Sequence, residues 1–229
     1  MNYIESVFMC LTAPLLFAVI GMHGRSKRLM IFLISGMAMS LLSAYISSFL
    51  AAAQGADVLH ASIEISPLVE EIMKFLPVLF FILVMEASEV AIADSVMMTA
   101  VGFATFENVC FLMRNGADNL FYLSVRGFST GAMHVMCAYI VALGLMHLWK
   151  TDWIRVLGTI GLLSVAASYH GVYNIMVAQT GAVAVIGYVI PLTTAFVTLV
   201  LRGKLQSGRL QNPHGRIAEG RKEEFSEEK

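Results

Sequence analysis

The sequence predicts an all-α fold: a polytopic bundle of about seven membrane-spanning helices, with the N-terminus outside and the C-terminus inside. Three observations lead there. Of the 229 residues, 58% are hydrophobic and only 14% charged, and the mean hydropathy is +0.75. Such a composition suits a chain solvated by lipid, not a soluble domain with a large core. Seven apolar runs approach or exceed the roughly 20 residues a bilayer requires. The basic residues, finally, gather on one side of the alternation.

The runs cover approximately 3–22, 29–53, 67–85, 95–113, 128–149, 156–178 and 182–201. If the N-terminus is outside, the inner side receives Arg25, Lys27, Arg28, Lys150, Arg155 and the seven basic residues from Arg202 onward, twelve in all. The outer side receives only Arg114 and Arg126. Positive charge is retained on the cytoplasmic side, so the asymmetry sets the orientation. The acidic stretch 86–94 carries little weight in that rule. Pro14, Pro77 and Pro191 fall inside runs, where a kink is tolerated. Gly127 with Gly131, and Gly158 with Gly161, suit close helix contacts.

Cys10, Cys110 and Cys137 all lie within the runs and form no CxxC, which argues against a disulfide framework and against thiol chemistry. The first run lacks a basic leader and is not a cleavable signal. The chain therefore divides into a transmembrane domain, 1–201, and a charged extension, 202–229. That extension reads as a mobile cytoplasmic tail touching anionic lipid.

Against this background, four motifs place polar groups in apolar helices. The first is Glu70-Glu71-x-x-Lys74, opening the third run after Ser66-Pro67. Ser66 suits a cap and Pro67 a first turn, so a helix is expected to start here, with its dipole favouring the carboxylates. Glu70, Glu71 and Lys74 share one helix face within about 100°. The second motif is Gly102-Phe103-x-x-Phe106-Glu107-Asn108, and the third Arg126-x3-Thr130-x3-His134. The fourth is His170-x3-Asn174. Ionisable groups inside a membrane are expensive and mark function by default.

The expected topology brings these motifs to one depth. Glu70, Glu107, His134, His170 and Asn174 all fall about 5–12 Å below the outer surface, at 1.5 Å per residue. Convergence of four helices on a single site is the expectation. Blander readings stand beside it. Glu71 and Lys74 can be a structural pair that makes burial tolerable, and Asn108 and Thr130 can be packing groups. Arg126, near the boundary, reads as a residue that snorkels to the interface. His23, His60, His147 and His214 lie in loops, at a span end or in the tail, and are left out.

Two acids, two imidazoles and an amide in a dry cavity suit amide hydrolysis. A carboxylate or imidazole takes a proton from water and returns one to the leaving amine. Donors must also meet the developing oxyanion, and His170 with Asn174 presents two on one helix face. No Ser or Cys is paired with a base, and neither HExxH nor a GxSxG elbow is present. Water is therefore the preferred nucleophile.

The order Glu-Glu-x-x-Lys, Gly-Phe-x-x-x-Glu-Asn, a lone His and His-x-x-x-Asn resembles the PrsW family of intramembrane proteases. That family sits within the wider group of CAAX prenyl endopeptidases and bacterial CPBP proteins. The matching residues are Glu70, Glu71 and Lys74; Phe103, Glu107 and Asn108; His134; and His170 and Asn174, within about 66–178. The resemblance implies a multi-pass protease of the bacterial plasma membrane that makes the first cut in a membrane-anchored anti-sigma factor. By likeness, Glu70, with Glu107 or His134, activates water, while His170 and Asn174 hold the oxyanion. Glu71 joins the catalytic set, with Lys74, Phe103, Asn108 and Thr130 in support. The wider group favours metal-free, glutamate-type chemistry with no cofactor. Glu70, Glu107, His134 and His170 are nonetheless a donor set that zinc accepts.

Rival classes remain. A proton-coupled transporter would use the same buried Glu and His residues as a relay, but tends to carry an inverted repeat and polar groups at all depths. A haem protein would use His134 and His170 as axial ligands. A scaffold would keep the fold without the chemistry.

Overall fold

The computed structural model describes residues 3–85, 88–116, 119–148 and 152–211, and among these every regular element is helical. The long helices are α1 (Tyr3–Gly21), α2 (Gly24–Gln54), α4 (Ser66–Met85), α5 (Glu89–Asn115), α6 (Leu120–Leu148), α7 (Asp152–Val177) and α8 (Ala182–Gln211). Each coincides with one of the seven apolar runs. A single turn, α3 (Val58–His60), and a π-helical turn (Ala61–Ile65) lead directly into α4.

Five of the long helices, α1, α2, α5, α6 and α7, are long and apolar enough to cross a membrane. The other two long helices are α4 and α8. α4 carries Glu70, Glu71 and Lys74 within its 20 residues, so the site itself lowers its apolarity. In α8 the described stretch Ala182–Thr198 is apolar, and the sequence continues apolar through Leu199, Val200 and Leu201.

The molecule is apolar outside and polar within. Phe17, Phe49, Phe80, Phe121 and Trp153 are among the exposed side chains, whereas Ser40, Ser43, Ser47, Glu71, Lys74, Thr99, His134 and His170 are buried. Water would impose the reverse order. Lipid accepts it, because the interior is where polar groups find partners.

Residues up to Leu192 form one packed unit. Within it α2 packs on α4 and α5, α5 on α6, α6 on α7, and α4 on α7. The buried apolar core includes Phe75 and Val78 of α4, Ala100 of α5, and Met133, Cys137 and Val141 of α6, with Ala166 and Tyr173 of α7. Helices α2 and α5 touch backbone to backbone. A Cβ placed on Gly36 would overlap the carbonyl of Thr99, and one on Gly102 that of Leu33. The second unit begins at Thr193, within α8. The helix runs on to Gln211, ten residues beyond the expected span. The rest of the expected tail, 212–229, lies outside the described residues.

One local expectation is corrected. The helix bearing the carboxylates does not start at Ser66. Gly55 closes α2 in the left-handed region (φ 64°), and Asp57 caps a new helical stretch, its carboxylate accepting from the His60 N–H at 2.7 Å. From Val58 the chain is helical through to Met85, and Ser66 itself has ordinary helical dihedrals. Glu70 is thus more than three turns from the helix start, beyond the first-turn range of the dipole.

The π turn explains how Pro67 fits inside this helix. Ser66 donates to Ala61 O, five residues back. By the same pattern Ser62 O awaits an N–H from residue 67, and proline has none. The Asn174 amide supplies the missing donor, its Nδ2 reaching Ser62 O at 2.8 Å.

Candidate active site

The four motifs meet. From α4, Lys74 Nζ donates to Glu71 Oε1 at 2.5 Å and to His134 Nδ1 of α6 at 2.8 Å. On the other side of that ring, His134 Nε2 lies 2.5 Å from Glu107 Oε2 of α5. Glu107 Oε1 in turn accepts from Arg126 Nη2 at 3.0 Å. From α7, His170 Nδ1 lies 3.0 Å from Glu71 Oε1, and His170 Nε2 lies 3.7 Å from Glu70 Oε2. The two imidazoles stand edge to face, with centroids 5.0 Å apart. Phe103 packs against His134 and lies under the Lys74 ammonium.

The partners assign the tautomers. An ammonium only donates, so His134 Nδ1 accepts and its Nε2–H points to Glu107. A carboxylate only accepts, so His170 Nδ1–H points to Glu71, and in the neutral ring Nε2 carries a lone pair. His134 is consequently engaged on both sides. His170 offers one free nitrogen, directed towards Glu70. The charges are also nearly matched, with Lys74 and Arg126 set against Glu70, Glu71 and Glu107.

Glu70 is the exception among the three acids of the site. Its Oε2 is buried and has no hydrogen-bond partner. Orphaned buried polar atoms are rare and call for an explanation. The residue lines a cavity of about 490 Å³, together with Ser43, Ser47, Phe106, Glu107 and Arg126. This cavity runs from the acids to Asp57 and Asn115, at the helix ends on one side of the bundle.

The remaining sequence-predicted residues support the arrangement. Asn108 accepts from Arg126 Nη1 at 2.6 Å and donates to Gly127 O at 3.2 Å. Thr130 Oγ1 lies 2.8 Å from the Tyr173 hydroxyl. Asn174, expected beside the oxyanion, has its amide committed to Ser62 O. Arg126, expected to snorkel, instead turns inward. Its side chain is 14% exposed, binds Glu107 and Asn108, and stacks over Phe111 at 3.7 Å. The signal that could have found it was its position four residues before Thr130 and eight before His134, on one helix face.

A family model described as PrsW family intramembrane metalloprotease matches residues 15–201. The chain belongs to the PrsW family. No curated protein and no solved structure matches it. The match covers α2 to α7 in full and all four motifs, so this PrsW-family chain is a multi-pass membrane protein and an intramembrane protease.

The family description implies a metal, and the residues present can hold one. Glu70, His134 and His170 each bring a ligand atom within 4.8 Å of the others. Two His and one Glu form a known catalytic zinc set. The orphaned Glu70 Oε2 and the free His170 Nε2 are ready ligands, whereas His134 would have to release Lys74 or Glu107. Glu107, the fourth donor of the sequence-derived set, has its two oxygens engaged by Arg126 and His134.

Proposed function

We propose that this PrsW-family protease hydrolyses a peptide bond of a membrane-anchored protein near the extracytoplasmic face, with Glu70 as the base that activates water. One observation carries the reading: Glu70 lines the cavity, and its Oε2 is buried without a hydrogen-bond partner, 3.7 Å from His170 Nε2. That separation is too long for a direct hydrogen bond, and both atoms are acceptors. A water between them would donate to each, with its oxygen lone pairs turned towards the cavity.

The chemistry is set by that placement. Glu70 takes a proton as the water oxygen bonds to the scissile carbonyl carbon. The carbonyl oxygen becomes an oxyanion. Arg126 lines the same cavity and uses two of its five N–H groups on Glu107 and Asn108, so it retains donors for that charge. As the C–N bond breaks, Glu70 returns the proton to the leaving amine. Glu71, held by Lys74, fixes the His170 ring through Nδ1 and keeps its Nε2 turned to the water. Glu107 lines the same cavity, and His134 holds its carboxylate.

If a divalent metal is bound by Glu70, His134 and His170, it supplies a Lewis acid that makes water more acidic at the same point. The commitment of the His134 nitrogens to Lys74 and Glu107 favours the glutamate-type, metal-free reading. The basic-residue asymmetry supports N-out, C-in orientation, with the cavity mouth extracytoplasmic and residues 202–229 as a cytoplasmic extension. The resemblance to the family supports the bacterial plasma membrane as location, an anti-sigma factor as substrate and first-site cleavage as role.

The test is cleavage of a single-pass membrane reporter by wild type and Glu70→Gln at equal expression, with and without a strong chelator. Gln keeps shape but cannot act as a base, so a fall of about 10²-fold or more is expected. Activity surviving in Glu70→Gln overturns the assignment of the base, and absence of cleavage by the wild type favours a transporter or scaffold. Chelator sensitivity of the wild type would replace the glutamate-type reading with the metal-bound one.

A further inference from the structure

Part of the wall of the cavity that Glu70 lines is built by α2, an element that carries none of the four motifs. Ser40, Ser43 and Ser47 recur on one face of it, are all buried, and all line the cavity. A stripe of serines by itself is only a way to pack helices closely. Ser47 sets this one apart.

Helical Ser and Thr hydroxyls in this protein generally turn back to a carbonyl three or four residues earlier. Thr12 does so to Phe8 O, Ser48 to Ala44 O, Ser95 to Ala91 O, Thr99 to Ser95 O and Ser164 to Ile160 O. Ser43 likewise donates to Ser40 O at 2.9 Å. That back-bond is always available to a helical serine. Ser47 is 7% exposed, and its Oγ has no hydrogen-bond partner. It therefore combines burial, an unused donor and a place in the lining of the cavity that Glu70 also lines.

We propose that Ser47 binds the main chain of the peptide substrate, donating to one of its carbonyls beside the scissile bond. The Ser40–Ser47 face thereby serves as the substrate-binding wall of the site. The inference rests on the hydrolase reading and adds the form in which the substrate is held. A helical peptide keeps its carbonyls for itself, whereas an extended one presents them. The seven residue steps from Ser40 to Ser47 rise about 10 Å along α2. An extended chain covers that length in about three residues at 3.3 Å each. The substrate class is thus a membrane-anchored segment locally unwound over about three residues, recognised through its backbone. Specificity falls on how readily that stretch leaves the helix.

The test is steady-state kinetics on a fluorogenic single-pass peptide reporter in bicelles, with purified wild type, Ser47→Ala, Ser47→Cys, Ser164→Ala and Glu70→Gln. Loss of one neutral hydrogen bond should raise KM about 5- to 10-fold in Ser47→Ala with kcat within about 2-fold. Ser47→Cys, with a weak S–H donor, should lie between it and wild type. Ser164→Ala, whose hydroxyl serves only its own helix, should match wild type. KM unchanged in Ser47→Ala, while cleavage still requires Glu70, overturns this inference and leaves the hydrolase reading intact. Cleavage that does not require Glu70 overturns both. If Ser47→Ala loses kcat and thermal stability together, with KM unmoved, the hydroxyl is structural and the proposal fails.

Discussion

The Lys74 ammonium donates to His134 Nδ1 at 2.8 Å while it pairs with Glu71 at 2.5 Å. One side chain therefore sets the tautomer of one histidine directly and orients the other through Glu71. It does so from full burial, at 7% exposure, beside a carboxylate at 3%.

Removing Lys74 should cost more than a pair is worth. Lys74→Met keeps the length but leaves Glu71 as an uncompensated buried charge, an error of about 3–5 kcal/mol. We expect a large fall in the thermal midpoint, measured in detergent, and partial recovery in the double variant Lys74→Met/Glu71→Gln. No recovery would mean that Lys74 acts chiefly through His134.

Asn174 separates two roles cleanly. If its amide serves Ser62 O, as the 2.8 Å contact indicates, Asn174→Ala leaves a part-buried carbonyl unmet and lowers stability by about 1 kcal/mol. An oxyanion donor would instead lower kcat by about 10²-fold at unchanged midpoint. Thermal denaturation and turnover measured on one preparation distinguish them.

Arg126 should not tolerate lysine. Two different guanidinium nitrogens reach Glu107 and Asn108, and an ammonium cannot reproduce that fork. Arg126→Lys is expected to lower kcat by about 10-fold or more, because the proposed oxyanion donors go with the fork. Turnover equal to wild type would remove Arg126 from the mechanism.

The glycines of the α2–α5 crossing should be intolerant of even one methyl. Gly36→Ala and Gly102→Ala each push a carbon into a backbone carbonyl, at a cost of about 1–3 kcal/mol or more. Gly161→Ala meets nothing within 4 Å and should be neutral or slightly stabilising through helix propensity. Thermal midpoints of the three variants check this.

Legibility in the sequence tracks the price of polarity in lipid. Glu70, Glu71, Lys74, Glu107, His134 and His170 stood out because nothing around them is charged, and all six meet in the fold. Seven helices were legible for the same reason. Arg126 was not, since a cation near a span end has an ordinary use at the interface, and only the fold shows it turned towards Glu107. The start of the carboxylate helix was hidden by a genuine capping signal, Ser66-Pro67, overridden by a better one at Asp57. The partner of Asn174 was beyond reach, because Ser62 O becomes an orphan only once the π turn exists. Ser47 looked like any helical serine.

That π turn carries one more consequence. A five-residue turn inserted in a four-residue ladder sets the residues before it about 100° out of phase with those after it. Asp57 and the mouth of the cavity are on one side of this step, and Glu70 and Lys74 on the other. Deleting Ile63, in the middle of that turn, would restore an unbroken α ladder, change no charge and remove no motif. It would nevertheless rotate the mouth relative to the acids and withdraw Ser62 O from Asn174. The spacing between cap and carboxylates is thus itself inherited information, and a homologue one residue shorter there should lack either the proline or the asparagine.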